Sequence, residues 1–245
     1  MTKQSLLNTR VNSVTIAEAV DAIENWICSG TKAYVMPINV DVVMKIEHDP
    51  HLKTIADQAD MVLVDGMPLV WISKYYGRPV KEKVSGSDLV PALCQRAAEK
   101  GYSLFILGGK DGVAEQAKRN LEQQFPGIRV CGTLAPPLGF ENDPQELERI
   151  NNSICEADPD LLIVCFGCPK QEKFIYENFR KYSARVSVCA GATVDFLAGN
   201  VKRAPKWMSD HGLEWFYRFT QEPRRLFKRY FVDNVKILSL IGKYK

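Results

Sequence analysis

Short, unbroken apolar runs recur along this chain, and each ends in a turn signal. Met61-Val62-Leu63-Val64 precedes Asp65-Gly66, and Ser103–Leu107 precedes Gly108-Gly109-Lys110-Asp111-Gly112. Leu161–Phe166 precedes Gly167-Cys168-Pro169, and Arg185–Cys189 precedes Ala190-Gly191. A strand with one wet face alternates polar and apolar residues, whereas one buried on both faces does not. These runs therefore belong in a parallel sheet. Ala33–Met36 and Ile128–Cys131 read as further strands. Between the strands lie helical stretches. Thr15-Ile16-Ala17-Glu18 is a capping box opening a helix to about Cys28, which Gly30 closes. A helical stretch runs from after Asn39 to about Asp60, and Pro68 sits at the first turn of a helix reaching Tyr76. Further helices are predicted over Ser87–Lys100, from Gly112 to Phe125, over Pro144–Glu156 and over Lys170–Lys181. Two more, Pro205–Thr220 and Pro223–Leu240, close the chain. The reading is an α/β fold, a Rossmann-like, mostly parallel sheet with helices on both faces, plus a helical C-terminal appendage.

The appendage differs from the rest in charge. Residues 200–245 hold 11 Lys/Arg against 4 Asp/Glu, a net +7, while residues 1–199 hold 21 against 25, a net −4. Trp207, Trp215, Phe216, Tyr217, Phe219, Phe227, Tyr230 and Phe231 run through the same stretch. Cations interleaved with amphipathic rings suit an anionic membrane surface better than nucleic acid. The expected division is a catalytic core, 1–199, and a basic, aromatic, membrane-docking appendage, 200–245. Removing the appendage is expected to leave a core that folds and stays soluble. No secretory leader is visible at the start, and no window reaches the ~20 apolar residues that a transmembrane helix needs. A cytoplasmic protein, peripheral on the inner face of the membrane, is the expectation. Seven cysteines, an odd number mostly set in apolar runs, read as reduced and buried.

Ligands of open parallel sheets sit at the carboxyl ends of the strands. Four such ends carry polar or glycine-rich punctuation here: Asn39, Asp65-Gly66, Gly108-Gly109-Lys110 and Gly167-Cys168-Pro169-Lys170-Gln171. Gly108 and Gly109 open a helix whose N–H groups could hold a phosphate, although a tight strand–helix turn explains them equally well. Cys165-Phe166-Gly167-Cys168 reads as structural, because no further zinc ligands accompany it and Cys165 continues a buried strand. His48 and His51 lie in a polar segment far from it in sequence. Asp65, exposed on a turn after a buried strand, is the best candidate for a general base, with helix capping as its plain alternative. Asp195 is a second candidate, with capping or turn formation as its alternative. In the appendage, Phe227, Phe231 and Leu238 share one helical face, with Arg225 and Arg229 nearly opposite and Lys228 to the side.

Four blocks carry a family resemblance. They are Val62–Pro68, Gly167–Lys173, Gly191–Pro205, and the closing Gly212-Leu213-Glu214-Trp215-Phe216-Tyr217-Arg218 with Glu222-Pro223-Arg224-Arg225. In this order they resemble the WecG/TagA/CpsF family of bacterial glycosyltransferases over nearly the whole chain. The resemblance implies an inverting transferase that moves a sugar from a UDP-sugar to a sugar on a polyprenyl-diphosphate carrier, in cell-surface polymer synthesis. It implies Asp65 as the base that deprotonates the acceptor hydroxyl, with Asn39 and Gln171 lining the pocket. It also implies that the basic appendage docks on the membrane and supplies arginines to the active site. Arg218, Arg224 and Arg225 are the candidates, with Lys228 and Arg229 beside them. Lys83 stands where many members carry Arg, and a lysine cannot form a bidentate guanidinium clamp. Pro37 stands where many carry Thr. Lys83, Asp195, Gly108 and Gly109 complete the expected substrate-binding set.

No D-x-D metal motif lies beside these residues. The expectation is therefore no metal and no cofactor, with arginines and helix ends meeting the charge of the departing diphosphate. No nucleic-acid partner is expected, and a homo-oligomer is compatible with the sequence. Two alternatives come from other classes. A nicotinamide-dependent oxidoreductase lacks the fingerprint glycines and the acidic residue after the next strand. A non-enzymatic adaptor would use the appendage to bind anionic lipid or nucleic acid.

Overall fold

A computed structural model describes residues 2–205, 208, 212–221, 223–227, 231 and 234–244. Six strands form one sheet in the order β4-β3-β8-β7-β5-β6: β3 (Ala33–Ile38), β4 (Met61–Val64), β5 (Ser103–Gly108), β6 (Arg129–Leu134), β7 (Leu161–Cys165) and β8 (Val186–Cys189). The β3–β8, β8–β7, β7–β5 and β5–β6 pairs are all parallel. By packing, the chain divides into two compact units, residues 1–15, 37–85 and 202–245, and residues 16–36 and 86–201.

The second unit holds most of the sheet with α1 (Ile16–Ser29), α5 (Gly86–Lys100), α6 (Val113–Gln124), α7 (Pro144–Ala157), α8 (Lys170–Asn178) and the short α9 (Thr193–Leu197). Every residue of β5, β7 and β8 is buried. Because successive side chains point to opposite faces, both faces of these strands are covered, as the unbroken apolar runs require. The edge strand β6 is only partly buried. Gly108, at φ +114°, lies so close to β7 that a Cβ would sit 2.7 Å from the Cys165 carbonyl oxygen. Asp160 ties the start of β7 to β5, accepting from the Ser103 N–H at 2.8 Å and from its hydroxyl at 3.0 Å.

The first unit begins with an antiparallel hairpin, β1 (Lys3–Leu6) and β2 (Thr9–Asn12), absent from the sequence reading. Asn12 Oδ1 accepts from the Val62 N–H at 2.9 Å and anchors the hairpin beside β4. The helical stretch after Asn39 is two helices, α2 (Val40–His48) and α3 (Pro50–Gln58). They part at Asp49, whose carboxylate caps α3 through the His51 and Leu52 N–H groups, and Pro50 occupies the first turn. α4 (Met67–Tyr75) follows β4.

Among the described residues, the C-terminal elements of this unit are interrupted at Gly212-Leu213 and by a 3-10 turn, where two long helices were expected. They are α10 (Glu214–Gln221), α11 (Pro223–Phe227), a 3-10 turn Asn234–Lys236 and α12 (Ile237–Lys243). Leu226, Ile237 and Leu240 are buried. Glu47 of α2 clasps the chain end. It accepts from Lys243 Nζ at 2.7 Å and from the Tyr244 hydroxyl at 3.0 Å, while Asn8 Nδ2 donates to it at 2.8 Å.

Candidate active site

Three backbone segments meet where β4 ends. The Asp65 N–H donates to the Ile38 carbonyl at 2.8 Å, and the Val84 N–H donates to the Val64 carbonyl at 2.8 Å. Backbone bonds thus set Asp65 between the end of β3 and the segment carrying Lys83. Asn39 caps α2, its Oδ1 accepting from the Val42 N–H at 3.2 Å. Capping holds the carboxamide at the head of the helix and leaves its Nδ2 group to donate elsewhere.

These three residues line one pocket of about 460 Å³, within the size range of small-molecule sites. Its polar lining comes from Asn39, Asp41, Asp65, Lys83, Glu214 and Asn234. Its apolar lining comes from Val40, Met67 and Pro68, and from Trp215, Phe231, Val235, Ile237 and Leu238 of the C-terminal segment. Lys83 Nζ lies 3.7 Å from Glu214 Oε2, with the two side chains only 16% and 23% exposed.

Of the predicted residues, Asn39, Asp65 and Lys83 are brought together in this pocket. Gly108, Gly109, Gln171 and Asp195 belong to the second unit, at the turns after β5, β7 and β8. Gln171 is 5% exposed and engaged at both ends. Its Oε1 accepts from the Gly167 N–H at 3.3 Å and the Gly191 N–H at 3.0 Å, and its Nε2 donates to Glu172 at 2.8 Å. It locks two turns together. A Cβ on Gly109 would come 3.2 Å from Val194, so close packing accounts for this glycine and for Gly108. Asp195 lies in the first turn of α9, half-buried, and its carbonyl accepts from the Asn200 N–H at 3.0 Å. Arg224 is exposed on α11. Arg218 lies on α10 and Arg225 on α11, their side chains outside the described set, while Lys228 and Arg229 lie outside the described residues.

Of the seven cysteines, expected to be buried, Cys94, Cys165 and Cys189 are buried, Cys131 and Cys168 are half-buried, and Cys28 and Cys155 are exposed. In the buried ones the thiol is held neutral. Burial pushes the Cys165 thiol up to about 12 and raises Cys189 well above its ordinary value. Neither forms a disulfide. The sequence reading missed Glu214, Asp41 and the apolar lining. Glu214 sits inside the quoted Gly212–Arg218 block, so its position was marked although its place against Lys83 was not.

The family profile described as "Glycosyl transferase WecG/TagA/CpsF family" matches residues 4–245. The chain belongs to this family. It is 30% identical over 193 residues to a protein of Bacillus spizizenii (strain ATCC 23059 / NRRL B-14472 / W23), covering 79% of this chain and 73% of the other. That protein is named N-acetylglucosaminyldiphosphoundecaprenol N-acetyl-beta-D-mannosaminyltransferase. It is 28% identical over 216 residues to a protein of the same name from Bacillus subtilis (strain 168), covering 88% and 82%. Membership makes the chain a glycosyltransferase, and the pocket at Asp65 is the candidate place for its chemistry. Among the described residues, no helix is long and apolar enough to cross a membrane.

Proposed function

We propose that this glycosyltransferase inverts the anomeric centre as it transfers an N-acetylhexosamine from a UDP-sugar to a saccharide on a polyprenyl diphosphate. Polyprenyl-diphosphate-linked N-acetylglucosamine is the proposed acceptor, by likeness to the named relatives. The observation that carries the reading is the composition of one pocket. A carboxylate, Asp65, shares it with a lysine and with Trp215, Phe231, Ile237 and Leu238 of the basic C-terminal segment. An acceptor with a sugar hydroxyl, a diphosphate and an apolar chain needs those three surroundings together.

In the proposed step, Asp65 accepts the proton of the acceptor hydroxyl as that oxygen attacks the anomeric carbon. The bond from that carbon to the UDP oxygen breaks, and UDP leaves with the electron pair. Asn39 Nδ2 orients a sugar oxygen. Lys83, with Arg218, Arg224 and Arg225, meets the charge on the diphosphates. Gln171, Gly108, Gly109 and Asp195 act within the second unit, holding its strand-end turns. Residues 200–245 act as the appendage that docks on the cytoplasmic membrane face, where the lipid-linked acceptor resides. Seven net positive charges at ~1 kcal/mol each near an anionic leaflet, less after screening, support that docking.

Release of UDP, measured with a UDP-N-acetylhexosamine and a lipid-diphosphate N-acetylglucosamine acceptor, tests the reading. Asp65→Asn is expected to lower kcat by about 100-fold or more with the fold intact. Full turnover in that variant would remove Asp65 as the base, and retention of the donor's anomeric configuration in the product would remove the inverting mechanism.

A further inference from the structure

α4 carries aromatic bulk on the side that faces away from its core. Leu69, Val70, Ile72 and Ser73 are buried, whereas Trp71 and Tyr75, one helical turn apart, are 52% and 60% exposed. Neither lines the Asp65 pocket. Lys74, Arg78 and Lys81 are exposed in the same stretch, against one exposed carboxylate, Glu82. Two amphipathic rings set among cations are the composition of an interfacial membrane anchor.

The C-terminal segment borders this helix at both ends. Gly212 packs so close that a Cβ would lie 3.0 Å from Met67 and 3.3 Å from the Trp71 ring, and its φ of +73° also favours glycine. At the other end, the Tyr76 hydroxyl donates to the Ile241 carbonyl at 2.9 Å. That segment itself exposes Trp215, Phe216, Phe227, Phe231 and Leu238. The outward face of α4 is thus continuous with the exposed aromatic residues of the basic tail.

We propose that Trp71 and Tyr75 of α4 form part of the surface by which this chain docks on an anionic lipid bilayer, so that two separate stretches of sequence enter the interface. The proposal rests on the membrane-surface reading of the tail. Charge selects the bilayer over a second copy of the chain. A two-fold interface would set a segment of net +7 against itself, whereas an anionic leaflet neutralises it.

The test uses the full chain with Trp26, Trp207 and Trp215 changed to Phe, leaving Trp71 as the only tryptophan. It is mixed with phosphatidylcholine vesicles containing about 30% phosphatidylglycerol and bromine-labelled acyl chains, so that a ring at the interface is quenched. Trp71 emission is expected to shift to the blue and lose intensity. Separately, Trp71→Glu with Tyr75→Glu in the otherwise native chain is expected to lower vesicle partitioning by about tenfold or more. UDP release with a short-chain, water-soluble acceptor should be unchanged, which also shows the variant folded. Unquenched Trp71 on vesicles that do bind the chain, or undiminished partitioning of the double variant, would overturn the inference and leave tail docking standing. So would a double variant that loses self-association yet binds vesicles normally, which would assign the face to a second copy. A chain that binds no vesicles would overturn this inference and the docking reading together, while turnover of the soluble acceptor reports on the glycosyltransferase reading alone.

Discussion

Asp65 owes its place to backbone geometry. Its own N–H and the neighbouring Val64 carbonyl are both used in bonds to adjoining segments, so the residue is held where β4 ends. Lys83 is held differently, against Glu214 at 3.7 Å, and a bound diphosphate would compete with that carboxylate. Lys83→Met is therefore expected to weaken UDP binding about tenfold, and Glu214→Gln to strengthen it a few-fold, by calorimetry. Unchanged affinity in both variants would dissociate this pair from the diphosphate. Gly108→Ala has a steric outcome. With φ at +114° and backbone oxygen 2.7 Å from the added carbon, it is expected to cost about 2 kcal/mol or more and to lower the Tm by several degrees. Of the candidate site, Asn39 and Asp65 were legible because each follows a strand end whose apolar run is unmistakable, whereas Lys83, between α4 and α5, was marked only by the family resemblance. The engagement of Gln171 was not legible. One of its three partners, Gly191, lies twenty residues on, and only the pairing of β7 with β8 brings the two turns together.

At the scale of elements, buried strands were the easiest to read, since β4 was anticipated to the residue and β5, β7 and β8 to within one. The N-terminal hairpin escaped because its strands are short and largely polar. Its two-residue turn, Leu7-Asn8, also puts a leucine at φ +53° where Asn-Gly would have announced it. The break between α2 and α3 was visible as Asp49-Pro50, a capping residue followed by a first-turn proline, within an otherwise continuous apolar period. The C-terminal helices were drawn too long, since periodicity persists where the described backbone passes through a 3-10 turn before α12.

The clasp on α12 makes a pH prediction. The hydrogen bond from Lys243 holds Glu47 below its ordinary value against the opposing effect of burial, with Asn8 and Tyr244 adding to it. The bond to Glu47 in turn raises Lys243. A lowered carboxylate contributes stability above the ordinary glutamate range and loses it as the pH falls through the lowered value. A raised lysine contributes below the ordinary lysine range and loses it as the pH rises through the raised value. The clasp therefore holds across neutral pH and opens in acid. Hydrogen exchange over residues 237–243 is expected to accelerate below about pH 4, and Glu47→Gln to produce the same acceleration at neutral pH. Exchange indifferent to both would mean that packing of Ile237 and Leu240 alone retains the helix.

For the whole molecule, the informative quantity is the uneven distribution of charge, −4 over residues 1–199 and +7 over residues 200–245. Partitioning onto anionic vesicles should fall steeply as salt rises from about 0.1 M to about 0.5 M, and insensitivity to salt would assign docking to apolar contact alone. The expectation of a soluble, folded core after removal of the last 46 residues meets a physical obstacle. Leu226, Ile237 and Leu240 are buried within the first unit, and their loss would uncover the apolar surface they cover. Charge reversals on the surface are therefore a cleaner probe of the tail than deletion.

The pocket draws on residues 39 and 238, and the unit that holds it on three stretches ending at the chain terminus. Its lining is thus completed by residues far apart in sequence, and Glu47 meets Lys243 and Tyr244 across separations of 196 and 197 residues. Contacts so distant in sequence form late in folding, so Ile237→Ala or Leu240→Ala is expected to speed unfolding more than it slows folding.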